Sequence, residues 1–280
     1  MKEAAPLERV THANGVTLWQ PKTPLVAPVA AAQPPQRIAF AFTERAGGVS
    51  QPPYDSLNLG THVGDNPEAV AVNRHRALEA LGAAAYEQAL IVPNQVHGSH
   101  VVTVTSSAPA AIAAAREEAA AGADALVVTA PGVPVLLNFA DCVPVILVAP
   151  TGVAVVHSGW KGTLARVSAT AAHALMAATG ATPSDLKCYV GPHILGREYE
   201  VSCELLQRFI DVFGSMVAIG ASRLSLEAAI TQTLLQEGVS PCNIVDPALS
   251  TVENPTRFFS YRASGGTCGR HGALACICPL

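Results

Sequence analysis

Between Ala125 and Ser158 the chain passes through four short apolar stretches, ALVVT, VPVLLNFA, PVILVAP and GVAVVHS, each bounded by Pro, Gly or Asp. Runs this brief and this punctuated fit buried β-strands better than helices, which need about ten residues or more. Further strands are expected at Ile38 to Phe42, Leu186 to Gly191, Phe258 to Arg262 and Ala273 to Cys278. Helical patterns are fewer. Asn66-Pro67-Glu68 reads as N-cap, N1 and N2 of a helix running to Leu81, with Gly82 as its stop. Others span Thr163 to Ala178, Ser202 to Val212 and Leu224 to Glu237, closed by Gly180, Gly214 and Gly238. Strands that outnumber helices without alternating with them predict an α+β (mixed α/β) class, a mixed β-sheet sandwich with helices packed on the sheet faces.

Residues 7 to 20 read as a hairpin around Asn14-Gly15, and Pro-rich residues 21 to 36 as a connecting loop. Residues 1 to 36 thus precede one catalytic domain over 37 to 280, since no linker or repeat divides the remainder. Ala108 to Ala121 is alanine-rich and compatible with either a helix or a mobile surface segment. With 50% hydrophobic and 14% charged residues, the chain can bury a large core. A formal net charge of -4 supplies no long-range pull on polyanions, which argues against nucleic acid or an anionic membrane as the main partner. No signal core is found at the N-terminus, and no run nears the ~18 apolar residues of a membrane span. Seven scattered cysteines do not form a disulfide framework, so reduced thiols and a cytoplasmic setting are expected.

Reactive groups stand at the ends of these strands. Asp141-Cys142 follows VPVLLNFA, His157 closes GVAVV, and His97 lies in Asn94-Gln95-Val96-His97-Gly98. Two imidazoles and a thiolate suit an open zinc site, provided the three meet in space. Each has a plainer reading too. Cys142 alone reads as a small buried hydrophobe, and either histidine alone as a core residue. Asp141 tilts the balance, because a carboxylate at a strand end is costly to bury unless it is paired. Gly159-Trp160-Lys161-Gly162-Thr163 joins a strand to a helix, where backbone N–H groups can gather an anion; it lacks the spacing of a nucleotide-binding Walker loop.

The blocks NQVHG, ADCVPV and HSGWKGT, with Ser56 to Gly60 upstream and Val190 to Ile194 downstream, resemble the family known as YfiH-like, laccase-domain or multicopper polyphenol oxidase proteins. The resemblance runs from about Phe40 to the C-terminus. It implies a single-domain sandwich carrying Zn²⁺ on His97, Cys142 and His157. It further implies phosphorolysis of adenosine, inosine, guanosine and methylthioadenosine to free purine and (methylthio)ribose 1-phosphate, with adenosine deamination as a companion activity. Asp141, Cys142 and Arg45 are then expected at the chemistry, and Asn58, His62, Lys161, Gly162 and Thr163 at phosphate or nucleoside. Lys161 stands where relatives more often carry Arg, Leu249-Ser250-Thr251 where many have Cys-Thr, and Ala263 where a second Arg is frequent. The partners implied are a purine nucleoside and phosphate, in a monomer or homodimer.

The oxidase label fits the residues poorly. Several copper centres need about ten histidines, many in His-X-His pairs, and this chain has 9 His and no such pair. Copper (Cu²⁺) could still enter a two-His, one-Cys site, so a laccase-type oxidase is kept as an alternative. The zinc deaminase pattern of His-X-Glu with Pro-Cys-X-X-Cys is missing as well, since Pro241-Cys242 has no second cysteine three residues on. Two other classes compete: a Cys-His hydrolase acting on a peptidoglycan precursor, with Cys142 as nucleophile and His157 as base, and a metal-binding module without catalysis.

Overall fold

The structure is a computed structural model that describes residues 3–27 and 35–279. β1 (Leu7–Thr11) and β2 (Thr17–Pro21) form the hairpin expected around Asn14-Gly15, pairing Thr11 with Thr17. Part of the Pro-rich stretch is also extended, as β3 (Leu25–Ala27), while residues 28–34 lie outside the described residues. After β4 (Gln36–Thr43), α1 (Pro67–Leu81) starts as read from its cap. The Asn66 side chain accepts hydrogen bonds from the N–H groups of Glu68 and Ala69, and Gly82 ends the helix at φ 76°. There follow β5 (Val101–Val104), α2 (Pro109–Ala121), β6 (Ala125–Val128), β7 (Val135–Phe139), β8 (Val143–Ala149) and β9 (Gly152–Ser158). The alanine-rich segment is therefore a helix, seated through Ile112, Ala115 and Ala119. The chain continues through α3 (Trp160–Leu164), α4 (Val167–Thr179), β10 (Lys187–Val190) and α5 (Cys203–Phe213). It closes with β11 (Ala218–Ile219), β12 (Arg223–Leu224), α6 (Leu226–Gln236), β13 (Ile244–Val245) and β14 (His271–Pro279).

Two sheets result. The first runs β1-β2-β4-β14-β7, with β3 beside β2 on the same edge of β4, and is antiparallel throughout. The second runs β13-β10-β8-β9-β6-β5 and is mixed, since β13 with β10 and β5 with β6 are parallel. Alternation along each strand explains how they stack. Ile38, Phe40 and Phe42 on β4 point into the space between the sheets, where they meet Ile146 and Val148 of β8, Val153 and Val155 of β9, and Tyr189 of β10. Ala39 and Ala41 point the other way, onto Ala77, Leu78 and Leu81 of α1. The far face of the second sheet is covered by α4, α5 and α6 through residues such as Leu175, Phe209 and Ile230. The order of layers is helix, sheet, sheet, helices, the mixed sandwich the strand pattern predicted. None of the described helices is long and apolar enough to cross a membrane.

Two expectations are corrected. The helix read as Thr163 to Ala178 is broken, because Arg166 takes a left-handed conformation at φ 56° between α3 and α4. The Thr163 hydroxyl is tied back to the Gly159 carbonyl at 2.9 Å, and the Arg166 N–H turns to the Thr163 carbonyl, closing α3 after little more than one turn. Phe258 to Arg262, read as a strand, is a series of turns. Phe258 and Phe259 are buried as plugs, while the Arg262 N–H bonds a carboxylate instead of a neighbouring strand. A short apolar run does not reveal which of these it will become.

The layer arrangement also sets where chemistry can occur. Ala140, Asp141 and Cys142 form the link by which the chain leaves β7 in the first sheet and enters β8 in the second. His157, near the end of β9, stands opposite Pro144 on the adjoining strand.

Candidate metal centre and the cavity around it

His97, Cys142 and His157 meet: one donor atom from each lies within 4.8 Å of the others. The two imidazole rings are edge to face, with centroids 4.8 Å apart. His157 is buried, Cys142 half-buried and His97 open to solvent, so the triad has a closed side and an open side. Burial by itself would push the Cys142 thiol up; attraction from His157 and hydrogen bonding to both rings outweigh it and bring the pKa down to about 6. The magnitudes allow this. Opposite charges about 4 Å apart at an effective dielectric near 20 attract by ~4 kcal/mol, or roughly three pKa units. Burial would likewise lower His157, and the Cys142 thiolate together with Asp124 reverses this, raising it to about 9.

Asp124 is the residue that sequence reasoning missed. Wholly buried at the start of β6, it accepts hydrogen bonds from the N–H of His97 at 2.9 Å and of Gly98 at 2.6 Å, and from His157 Nδ1 at 2.7 Å. One carboxylate thus shapes the turn that carries His97, where φ is 60°, and fixes the ring of His157 so that Nε2 faces the centre. Burial would raise its pKa, but the His157 interaction and the two amides prevail and keep it below the usual carboxylate range. Its signal in the sequence was an acid directly ahead of a fully apolar strand. Gly159 is required at the same spot, because a Cβ there would stand 2.8 Å from the His97 ring and 3.2 Å from Cys142 Sγ. The donors, their chemistry and the orienting carboxylate all fit a thiophilic divalent cation with a position left open.

Asp141 sits beside the triad at φ 90°, with both carboxylate oxygens bonded. Oδ1 accepts from the Thr251 hydroxyl at 2.6 Å and Oδ2 from the Arg262 N–H at 2.7 Å. Thr251, in the Leu249-Ser250-Thr251 stretch where many relatives have Cys-Thr, is therefore a positioning partner of Asp141. The centre opens into a cavity of about 820 Å³, ample for a small organic molecule with an anion. On the side of the first sheet, His62, Arg74 and Arg270 line it. Arg74 is held by Nε on the Leu59 carbonyl at 2.9 Å, and Arg270 by Nη1 on Cys268 and Gly269 carbonyls at 2.9 and 3.0 Å. Burial first, then the positive charge of Arg270, Arg74 and His157, lowers the His62 pKa from its ordinary value. On the side of the second sheet the wall is Trp160, Ile194, Tyr199 and Leu226, with Tyr261 and Arg262 at the rim. Arg262 lies over the Tyr199 ring at 5.4 Å and Arg270 over Tyr261 at 5.9 Å.

Of the residues expected at the chemistry, Asp141 and Cys142 line this cavity and Arg45 does not; of those expected at phosphate or nucleoside, His62 lines it, and Asn58, Lys161, Gly162 and Thr163 do not. Arg45 is spent on the carbonyls of Asp55 and Pro255, each at 2.8 Å, and stacks on Phe259. Asn58 is wholly buried and binds Gly60, Asp65 and the Arg270 N–H, so it sets the loop and the strand start that present His62 and Arg270. Lys161 points outward with Nζ 5.4 Å from the Trp160 ring. Gly162 passes under the Gly98 carbonyl, and the Thr163 N–H is bonded to Gly159. The arginines that do reach the cavity, 74, 262 and 270, sit on a helix, in a turn and beside a strand, where nothing local separates them from surface charge.

A mixed α/β sandwich with a His-Cys-His centre where its two sheets join defines the class. The chain belongs to the multi-copper polyphenol oxidoreductase laccase family, whose model matches residues 39–278. It is 37% identical over 243 residues to the purine nucleoside phosphorylase of Mycobacterium bovis, a match covering 85% of this chain and 91% of that protein. The purine nucleoside phosphorylase of Deinococcus radiodurans is 36% identical over 241 residues, covering 85% and 88%. The crystal structure of the Bacillus licheniformis hypothetical protein YfiH superposes with a TM-score of 0.77 at 27% identity, covering 88% of this chain and 97% of that one.

Proposed function

We propose that this protein is a metal-dependent purine nucleoside phosphorylase, acting on adenosine, inosine, guanosine and methylthioadenosine. The observation that carries the reading is that one cavity brings the His-Cys-His triad together with Arg74, Arg262, Arg270 and the aromatic walls of Trp160, Tyr199 and Tyr261, the kinds of group that a phosphate, a ribose and a purine would need. Relatives at 37% and 36% identity bear that enzyme name. Arg74, Arg270 and His62 bind the phosphate, replacing its water shell with fixed donors. Trp160, Ile194, Tyr199 and Leu226 receive the purine. As the glycosidic bond stretches, positive charge grows on the ribose C1′, and the Asp141 carboxylate, locked by Thr251 and Arg262, supplies the opposing charge without having to reorient.

His97, Cys142 and His157 would hold zinc, the cation that two imidazoles and a thiolate select when a fourth position stays open. When bound, it supplies Lewis-acid polarisation of a substrate oxygen. Around it, Asp124 keeps His157 in the tautomer whose Nε2 is available, and the walls of the cavity restrict water. Adenosine deamination is the companion activity, to be scored in the same assay.

Adenosine and phosphate, incubated with the purified protein and resolved by chromatography, test the reading. Adenine and ribose 1-phosphate appear together, at a rate that saturates with phosphate. Arg74→Ala raises the phosphate KM by about 10- to 100-fold, the loss of one charge-assisted contact, with nucleoside KM little changed. Free ribose in place of ribose 1-phosphate would make the protein a hydrolase. Inosine without adenine would make it a deaminase. No turnover of any nucleoside by zinc-loaded protein, with Cys142 rapidly alkylated once zinc is removed, would favour the Cys-His hydrolase.

A further inference from the structure

Phosphorolysis places two demands on the cavity, and the residues assigned above meet only one. Phosphate and departing base lie in line on opposite sides of C1′, so whatever assists the base stands away from the phosphate. Two of the three cavity arginines, Arg74 and Arg270, come from helix α1 and the residue just before β14 in the first sheet, while the third, Arg262, is engaged with the Tyr199 ring and the Glu200 carbonyl; Asp141-Cys142 marks the crossing between the sheets. The base therefore lies toward the second sheet. When the C1′–N9 bond breaks, its electron pair passes to the purine, and the ring nitrogen N7 becomes a stronger acceptor. A hydrogen-bond donor is wanted there.

Tyr199 has the required placement. It lines the cavity on the side of the second sheet, and its backbone is fixed at both polar atoms, the N–H to Leu195 at 3.1 Å and the carbonyl to Leu224 at 3.0 Å. Its ring is covered by the Arg262 guanidinium at 5.4 Å, a cation–π contact that helps hold the ring plane. Within the described residues its hydroxyl has no hydrogen-bond partner and is not among the buried unpaired atoms, so on a residue that lines the cavity it is accessible and free to donate. Tyr261, the other phenol, is 54% exposed at the rim. Tyr199 is also close enough to the reaction centre for Cys142 and Asp141 to act on it electrostatically, although burial is the larger influence on its phenol.

We propose that Tyr199 is a catalytic residue whose hydroxyl donates a hydrogen bond to N7 of the departing purine. The inference rests on the phosphorylase reading above. The bond from a phosphate oxygen to C1′ forms as the C1′–N9 bond breaks, and the pair goes to the purine. The reaction balances with the one proton of monohydrogen phosphate ending on the base, while ribose 1-phosphate leaves as the dianion. Tyr199 keeps its own proton and stabilises the charge that develops before the base is neutralised.

The test compares guanosine with 7-methylguanosine, in which N7 is already alkylated and can accept nothing. Tyr199→Phe, with unchanged zinc content, should lower kcat for guanosine by about 10- to 100-fold, the cost of leaving a developing charge without its donor. The same variant should turn over 7-methylguanosine at the wild-type rate or faster. Equal slowing on both substrates would mean that Tyr199 only positions Arg262 and Asp141, and would overturn the proposal. A second arm needs no turnover and no variant: calorimetric titration of wild-type protein with guanosine and with 7-deazaguanosine, which lacks the N7 acceptor. Guanosine should bind about fivefold or more tightly, and equal affinities would overturn the proposal even if Tyr199→Phe did not fold. Wild-type protein that phosphorolyses guanosine but fails either comparison loses only this proposal. Protein that phosphorolyses no nucleoside loses the phosphorylase reading as well.

Discussion

A single carboxylate carries much of the centre's organisation. Asp124 holds the His97 turn by two amides and the His157 ring by Nδ1, so it positions both imidazole donors at once. Asp124→Asn keeps the shape and removes the charge. It should weaken zinc binding by about 10- to 100-fold, the usual cost of losing a partner behind a ligand, as read by competition with a chromophoric chelator. Cys142 offers a second measurement, and the direction of its shift fixes the sign. In metal-free protein its thiolate fraction rises with pH about a midpoint of about 6, whereas an ordinary thiol has a midpoint near 8.5. Alkylation by iodoacetamide should therefore show one acidic phase that Cys142→Ser removes, with exposed Cys203 and Cys242 reacting in the ordinary alkaline range. A Cys142 phase found only near pH 8.5 would contradict the thiolate-imidazolium pair.

At the scale of elements, the signals that held were those with a short-range cause. The Asn66 cap and Gly82 stop of α1 are such signals, because each satisfies helix-end groups within a few residues. Asn66→Ala should cost about 1 kcal/mol of stability, seen as a lower urea midpoint at unchanged slope, while zinc content stays constant. The broken helix at Arg166 and the turns at Phe258 to Arg262 had no such cause. There the backbone follows the needs of the site: Thr163 is tied down near Gly159, and the Arg262 N–H is given to Asp141.

For the molecule as a whole, the two-sheet core and the metal centre are separable. The apolar cluster between the sheets and the two outer clusters are built from residues other than the three donors, save that Cys142 packs at the edge of the central one. If zinc occupies this site as proposed, its removal by a strong chelator should abolish the proposed phosphorolysis while the far-ultraviolet circular dichroism and the cooperative unfolding transition persist, shifted to lower temperature. Added Zn²⁺ should restore activity. Collapse of the apo protein would show that the ion holds the fold together.

By itself the sequence determined the elements and the kinds of donor. Apolar runs gave the central strands of both sheets, though not β3, β5 or β13, the caps gave α1, and strand ends marked His157 and Asp141-Cys142 as places where polar groups could emerge. These are local matters, decided by periodicity and by neighbours a few residues away. Tertiary structure alone decided which ends meet. Asp124 becomes the orienting carboxylate only because β6 pairs with β9. Arg74 and Arg270 reach one cavity only because α1 packs over β4 and β14, and Tyr199 lines the same cavity only because β7 hands the chain from one sheet to the other. Each contact joins residues tens to hundreds of positions apart, through strand pairings that apolar patterning permits but does not single out.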